Sequence, residues 1–257
     1  MPGIRREIGV RRAGPAKRTR RADGSGDSRP ARRVRFAAPA LRRTVSARAF
    51  RVFLGVALAI ACAVATPGAQ RAGDNPRAVL DRAIDDFLAG RLNESLAGFD
   101  RVVALAPQAA PELWQRGIAL YYAGRYQDCR RQFESHRTVN PNDVENPAWH
   151  FMCVAKAESP AKARAALLPV GPDQRSPMRE IYEMFRGTMT PDAILALPNS
   201  QPSARFFAEL YVGLYYDSIG DRARATPHLR NAADRKYATA GGYMHRVAEL
   251  HPLLQPR

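Results

Sequence analysis

From Asn75 onward the apolar residues recur at spacings of three and four, in short runs separated by a Gly or a Pro. That is the period of amphipathic helices, and Gly and Pro are the residues that end them. The pattern predicts an all-α chain built of helix pairs. The pairs fall at about 76–109 and 110–143, less regularly at 144–172, and clearly again at 206–237. In the irregular stretch the runs predict helices at 145–157, 160–168 and 177–186. A short helix at 190–197 would be opened by Thr190-Pro191, an N-cap followed by a Pro in the first turn. A last helix at 239–250 is expected to cover the face that the final pair leaves open.

Comparison of the chain with itself sharpens this picture. Ala83, Gly90, Ser95, Phe99 and Pro107 recur as Gly117, Gly124, Cys129, Phe133 and Pro141, each pair 34 residues apart. Small residues at Ala83 and Gly117, and at Ser95 and Cys129, allow two helices to cross closely. Gly90 and Gly124 end the first helix, because Gly enters the left-handed region without a Cβ penalty. Phe99 and Phe133 fill the space between helices, and Pro107 and Pro141 stop the second. These marker types, in this order and at this period, resemble the tetratricopeptide repeat (TPR), which implies a helix-turn-helix repeat array, an α-solenoid.

A third copy keeps the register but not the markers. Ala163 and Leu167 stand where Cys129 and Phe133 do, while Glu158 replaces the turn Gly and Phe151 the small residue. A fourth has Gly213 and Gly220 at the first-helix positions, with Ala225 and Leu229 on the second helix, where Pro227 is expected to bend it. Its offset from the second copy is 96 residues, six short of three periods, so the middle of the array is expected to be distorted.

RGIALYYAGR, followed by NPNDVENPAWHF, then IYEMFRGTMTPDAIL and YVGLYYDSIGDRARA, resembles the NlpI-type TPR lipoproteins of bacterial envelopes. The resemblance runs from about Arg77 to Leu250. It implies an exported, commonly lipid-anchored, dimeric adaptor that brings peptidoglycan hydrolases together with proteases or synthases. The chain departs from that pattern in its long basic leader, its imperfect lipobox and the lack of an extra N-terminal helix pair.

In a TPR array the first helices line an inner groove. Their groove-facing residues here are Pro111, Trp114, Ile118, Tyr121 and Tyr122 in the second copy, and Phe207, Leu210, Leu214 and Asp217 in the fourth. Aromatic side chains supply much of the binding energy at protein interfaces, so Trp114 and Tyr121 are the first candidates for partner anchors. The competing reading is that such aromatics fill the core between repeats.

A search for catalytic chemistry gives little. The five histidines are His136, His150, His228, His245 and His251, none of them in an HExxH pattern, and no Gly-rich phosphate loop is present. His150 and Cys153 lie three apart and would need Cys129 and His136 to complete a metal site. Cys129 is read more simply as the small apolar residue of a repeat helix. No catalytic residue, metal or cofactor is expected, and the predicted partner is a protein or peptide. An unrecognised envelope enzyme and a structural dimerising scaffold are the alternatives. A perturbed carboxylate or His cluster in a concave pocket would favour the enzyme, and an apolar outer patch the scaffold.

The net charge of +16 suggests a nucleic-acid binder until its distribution is considered. Residues 1–51 hold 16 Lys and Arg against three acidic residues, Glu7, Asp23 and Asp27. The rest of the chain holds 24 basic and 21 acidic side chains, too balanced to neutralise phosphates from a folded surface. Residues 1–51 read as a basic tail with no apolar period.

Residues 52–70 read as a secretory signal, a short uncharged run from Val52 to Ala65 after Arg48 and Arg51. Cleavage after Ala65 or Ala69 and lipid attachment at Cys62 both fit its small-residue exit. Export to a periplasm or envelope is expected, with a plastid lumen as the alternative and membrane contact only through signal or lipid. In an oxidising space Cys129 and Cys153 permit one bridge.

Overall fold

The computed structural model describes residues 75–198 and 200–254, and every regular element among them is a helix. The leader, the signal segment and Cys62 lie outside the described residues.

The first two hairpins follow directly from their turns and contacts. α1 (Pro76–Leu88) opens on Asn75, whose Oδ1 accepts from the Arg77 amide at 2.9 Å, with Pro76 in the first turn. It ends at Gly90, φ 76°, and α2 (Leu92–Leu105) turns back against it. Ala83 lies where α2 crosses: the Ser95 Oγ donates to its carbonyl at 2.8 Å, and a Cβ on Gly98 would stand 2.7 Å from the Ala83 methyl. Pro107 does not merely stop α2. It begins a 3-10 turn, Pro107–Glu112, that leads into α3 (Trp114–Tyr122).

α3 ends at Gly124, φ 72°, and α4 (Tyr126–His136) packs back on it. A Cβ on Gly117 would sit 2.6 Å from the Phe133 ring, so glycine is what brings these two helices together. Cys129 takes the place of Ser95. Its sulfur is bonded to Cys153 on α5 (Glu145–Ala157), with Cα atoms 5.9 Å apart. Neither cysteine has solvent-exposed surface, and both are spent in the bridge rather than available to a metal.

Past α5 the regular pattern stops. α6 (Pro160–Ala165) is short, capped by the Ser159 hydroxyl on the Lys162 amide. With so little helix opposite it, the Phe151 position does not need a small residue. Phe151 packs instead on Phe185 of α7 (Met178–Arg186) and on Tyr215 of α9 (Pro202–Ser218), at ring separations of 5.1 and 6.0 Å. The connecting loop is tied down by Arg175, whose guanidinium reaches Asp143, Glu145 and Asp173 at 2.6 Å each. α8 (Pro191–Leu195) is capped by Thr190 on the Ala193 amide and ends two residues earlier than its sequence suggests.

The last hairpin is regular again. α9 and α10 (Arg222–Ala232) turn at Gly220, φ 88°, and a Cβ on Gly213 would stand 2.7 Å from Leu229. α10 continues through Pro227. A 3-10 turn, Arg235–Tyr237, then leads into α11 (Ala238–Leu254). α11 is broken at Gly242, which has φ 50° and ψ −126°, and there is space there for the break. Beyond it α11 packs on α9 and α10 and reaches back to α1.

Candidate functional site

The route of α11 decides what happens to the expected groove. Tyr243, just past the break, stacks on Phe87 of α1 at 6.1 Å and meets Trp114 of α3 edge-on at 4.9 Å. His251, near the end of α11, lies 3.0 Å by Nδ1 from the Tyr122 hydroxyl. Trp149 of α5 closes on Tyr121 and Tyr122 from the other side, at 5.5 and 6.3 Å. The inner face of α1 and α3 is therefore covered by the chain itself.

This corrects the expected open aromatic groove. Ile118, Tyr121, Tyr122, Leu210, Leu214 and Asp217 are all buried, while Trp114, Phe207 and Pro111 are partly buried. The physical reason is that aromatic side chains on adjacent first helices gain more from a neighbouring helix than from water, and α11 supplies one. The reading of these aromatics as core is the one that describes them. Trp114 still edges a slot of about 70 Å³ with Phe133, Trp149 and Met244, small for a ligand but roomy enough for a few waters.

Among these buried residues is a polar cluster. The Tyr121 hydroxyl lies 3.3 Å from the Asp217 carboxylate, and the Lys156 ammonium lies 3.2 Å from that carboxylate and 2.9 Å from the Asp217 carbonyl. Burial, reinforced by the Asp217 charge, raises both the Tyr121 and Tyr122 hydroxyls well above the ordinary tyrosine range. Burial also lowers His251 to about 4. Asp217 pulls it up, while Lys156 and Arg222 push it further down. At neutral pH His251 is thus an uncharged imidazole held against Tyr122.

One side of this cluster opens. Asp217 and His251 lie deep in a pocket of about 360 Å³ between α10 and α11. Its walls are the buried Ala225, Leu229 and Ala248, with the partly buried Ala233 and the exposed Pro252. Its rim carries three exposed α10 residues, Arg222, Thr226 and Arg230. Among the described residues neither arginine has an acidic partner within salt-bridge distance. The neighbouring Asp221 pairs with Arg224, and Asp234 with Lys236. The volume is in the range of ligand sites, and the mix of apolar wall and a few polar groups is their usual composition.

Of the residues predicted to bind a partner, only Asp217 belongs to this pocket, and Ala225, predicted as a repeat-packing residue, lines it as well. Arg222, Arg230 and His251 were missed. On sequence alone, two arginines eight residues apart on a polar helix look like a solvated face, and His251 looks like one more histidine near a terminus. The one available signal was that Arg222, Ala225, Thr226, Leu229, Arg230 and Ala233 share one helical stripe of mixed charge and small apolar residues.

No family model matches the chain.

Proposed function

We propose that the chain is an exported adaptor of the TPR type, similar in kind to the NlpI-type envelope lipoproteins, and that it holds a protein partner at the α10–α11 pocket. The single observation that carries this reading is the pocket itself. It is an apolar-walled opening with two exposed arginines that have no acidic partner among the described residues. Unpaired cations beside a desolvated hollow are what a charged macromolecular ligand uses for orientation.

Three marker glycines at positive φ, Gly90, Gly124 and Gly220, and the close crossings at Ala83, Gly117 and Gly213 support a TPR-like construction. The buried Cys129–Cys153 bridge supports residence in an oxidising compartment, as export to an envelope or a plastid lumen would give. Among the described residues no helix is long and apolar enough to cross a membrane. Attachment through the signal or through lipid at Cys62 is part of the proposal. Val139 and Leu253 are the only large hydrophobics that stand out as exposed among the described residues, which gives little support to a dimerising apolar patch.

One observation favours the second reading, an envelope enzyme: a neutral His251 beside Asp217 in a concave pocket is a general base in outline. The pocket's lining lacks a cysteine, a serine or a second carboxylate to act with it. Thr226, its hydroxyl residue, donates to the Arg222 carbonyl at 2.8 Å.

The test is crosslinked capture from the source cell with the full chain, comparing native protein with an Arg222→Glu, Arg230→Glu double variant. Partners captured by the first and lost by the second support the adaptor reading. Identical captures from both would remove the pocket from it, and turnover of an envelope substrate that depends on His251 would favour the enzyme.

A further inference from the structure

The adaptor reading leaves the partner's chemistry open, and the pocket's dimensions narrow it. Arg222 and Arg230 are eight residues apart on one helix, so their Cα atoms stand about 12 Å apart along its axis. Alternate residues of an extended peptide point to the same side, and four residues of it span about 13 Å. Two carboxylates at positions i and i+4 of an extended segment therefore match the two arginines. The residue midway, i+2, points the same way and falls opposite the opening between them. What it meets there is apolar, with Ala225, Leu229 and Ala248 lining the depth.

The deep polar groups do not compete for that side chain. The Asp217 carboxylate is engaged by Lys156 and Tyr121, and the His251 Nδ1 by Tyr122. An acidic side chain entering the pocket would meet the Asp217 charge, so acids are held at the rim and only an uncharged residue is tolerated within. The apolar wall also argues against a polyanionic glycan. Sugar hydroxyls against Leu229 and Ala248 would lose water without gaining hydrogen bonds.

We propose that the α10–α11 pocket recognises an extended acidic segment of the partner protein, with acidic residues at i and i+4 and an aliphatic residue at i+2. Its carboxylates lie on Arg222 and Arg230, and its aliphatic side chain enters against Leu229. The proposal rests on the adaptor reading and specifies its ligand.

The probe is a fluorescein-labelled peptide, Gly-Glu-Ser-Leu-Ser-Glu-Gly, titrated with the full chain and followed by anisotropy. Saturable binding is expected to weaken about tenfold with Arg222→Glu and again with Arg230→Glu, the size of a charge-assisted contact. Arg235→Glu, an exposed change outside the pocket lining, should leave it unchanged. Replacing the peptide's Leu by Ser should weaken binding about tenfold, and moving its two Glu together should do the same. Equal binding of the rearranged peptide, insensitivity to both arginine substitutions, or tighter binding of a sulfated glycan of equal charge would each overturn the proposal. If the peptide fails while the arginine variants still lose captured partners from cells, the motif is wrong and the adaptor reading stands. If neither responds to the arginines, both fall.

Discussion

The chain covers the α1–α3 face and leaves a pocket open between α10 and α11. Against α1 and α3 the chain lays Tyr243 between Phe87 and Trp114, and sets His251 on Tyr122. Beside α10 it leaves a pocket of about 360 Å³ with two arginines on its rim. The difference follows the side chains. An aromatic face is too apolar to leave wet, so the fold covers it with its own last helix. The α10 face carries Arg222, Thr226 and Arg230, which are exposed, and α11 packs beside it without filling the pocket. In this molecule the residues most like binding anchors by type are core, and the opening lies where the sequence reads as plain surface.

The contrast can be broken by substitution, beginning at the covered face. Phe87→Ala removes a fully buried ring that touches Tyr122 and Tyr243. It is expected to cost about 3–5 kcal/mol in urea unfolding while leaving the pocket arginines untouched. A loss below about 1 kcal/mol would mean that α11 does not cover α1.

Next in size is the link between α4 and α5. Reducing the Cys129–Cys153 bridge, or replacing both cysteines with Ser, frees a loop of 24 residues and is expected to cost about 3 kcal/mol. Non-reducing mass spectrometry of the exported protein should find the bridged peptide, and free thiols there would contradict an oxidising location.

The buried histidine shared by the two regions gives a pH signature. His251 is held at about 4, below its ordinary value near 6.5, so the unfolded chain binds the extra proton first. Its contribution is present in full above about pH 6.5 and is lost as pH falls toward 4. At about 1.4 kcal/mol per unit the loss is roughly 3.5 kcal/mol at most. Unfolding midpoints should fall over that interval in the native chain and flatten in His251→Gln. An unchanged slope would place the titration elsewhere.

The smallest effect on stability is expected at the pocket. Arg222→Glu and Arg230→Glu are exposed changes without ion-pair partners among the described residues, and should shift stability by less than about 0.5 kcal/mol. Their effect belongs to binding. A large destabilisation would show that the arginines hold the fold.

The hairpins were legible because their signals are local. Gly90, Gly124 and Gly220 do sit at positive φ, and α5 spans the residues its apolar period suggests. The distorted middle was visible as a broken register at Phe151 and Glu158, although not its cause, the Phe151–Phe185–Tyr215 cluster. The route of α11 was not legible. It depends on one left-handed residue, Gly242, and on contacts between Tyr243 and Phe87 that are 156 residues apart in the chain. Spacing predicts which residues share a helix face and not which distant helix lies on that face. Asp217 was found because it shares a helix with the fourth-copy apolar residues. Arg222 and Arg230 were not, because nothing in their own sequence neighbourhood distinguishes an unpaired arginine from a solvated one.

The most direct measurement is a photocrosslink in the source cell. A photoreactive amino acid placed at Thr226, on the pocket rim, is predicted to join the full chain to its partner. The same amino acid at Trp114, on the covered inner face, is predicted to give no partner adduct. An adduct from position 114 with none from position 226 would put the partner on the aromatic face and contradict the assignment of the pocket as the binding site.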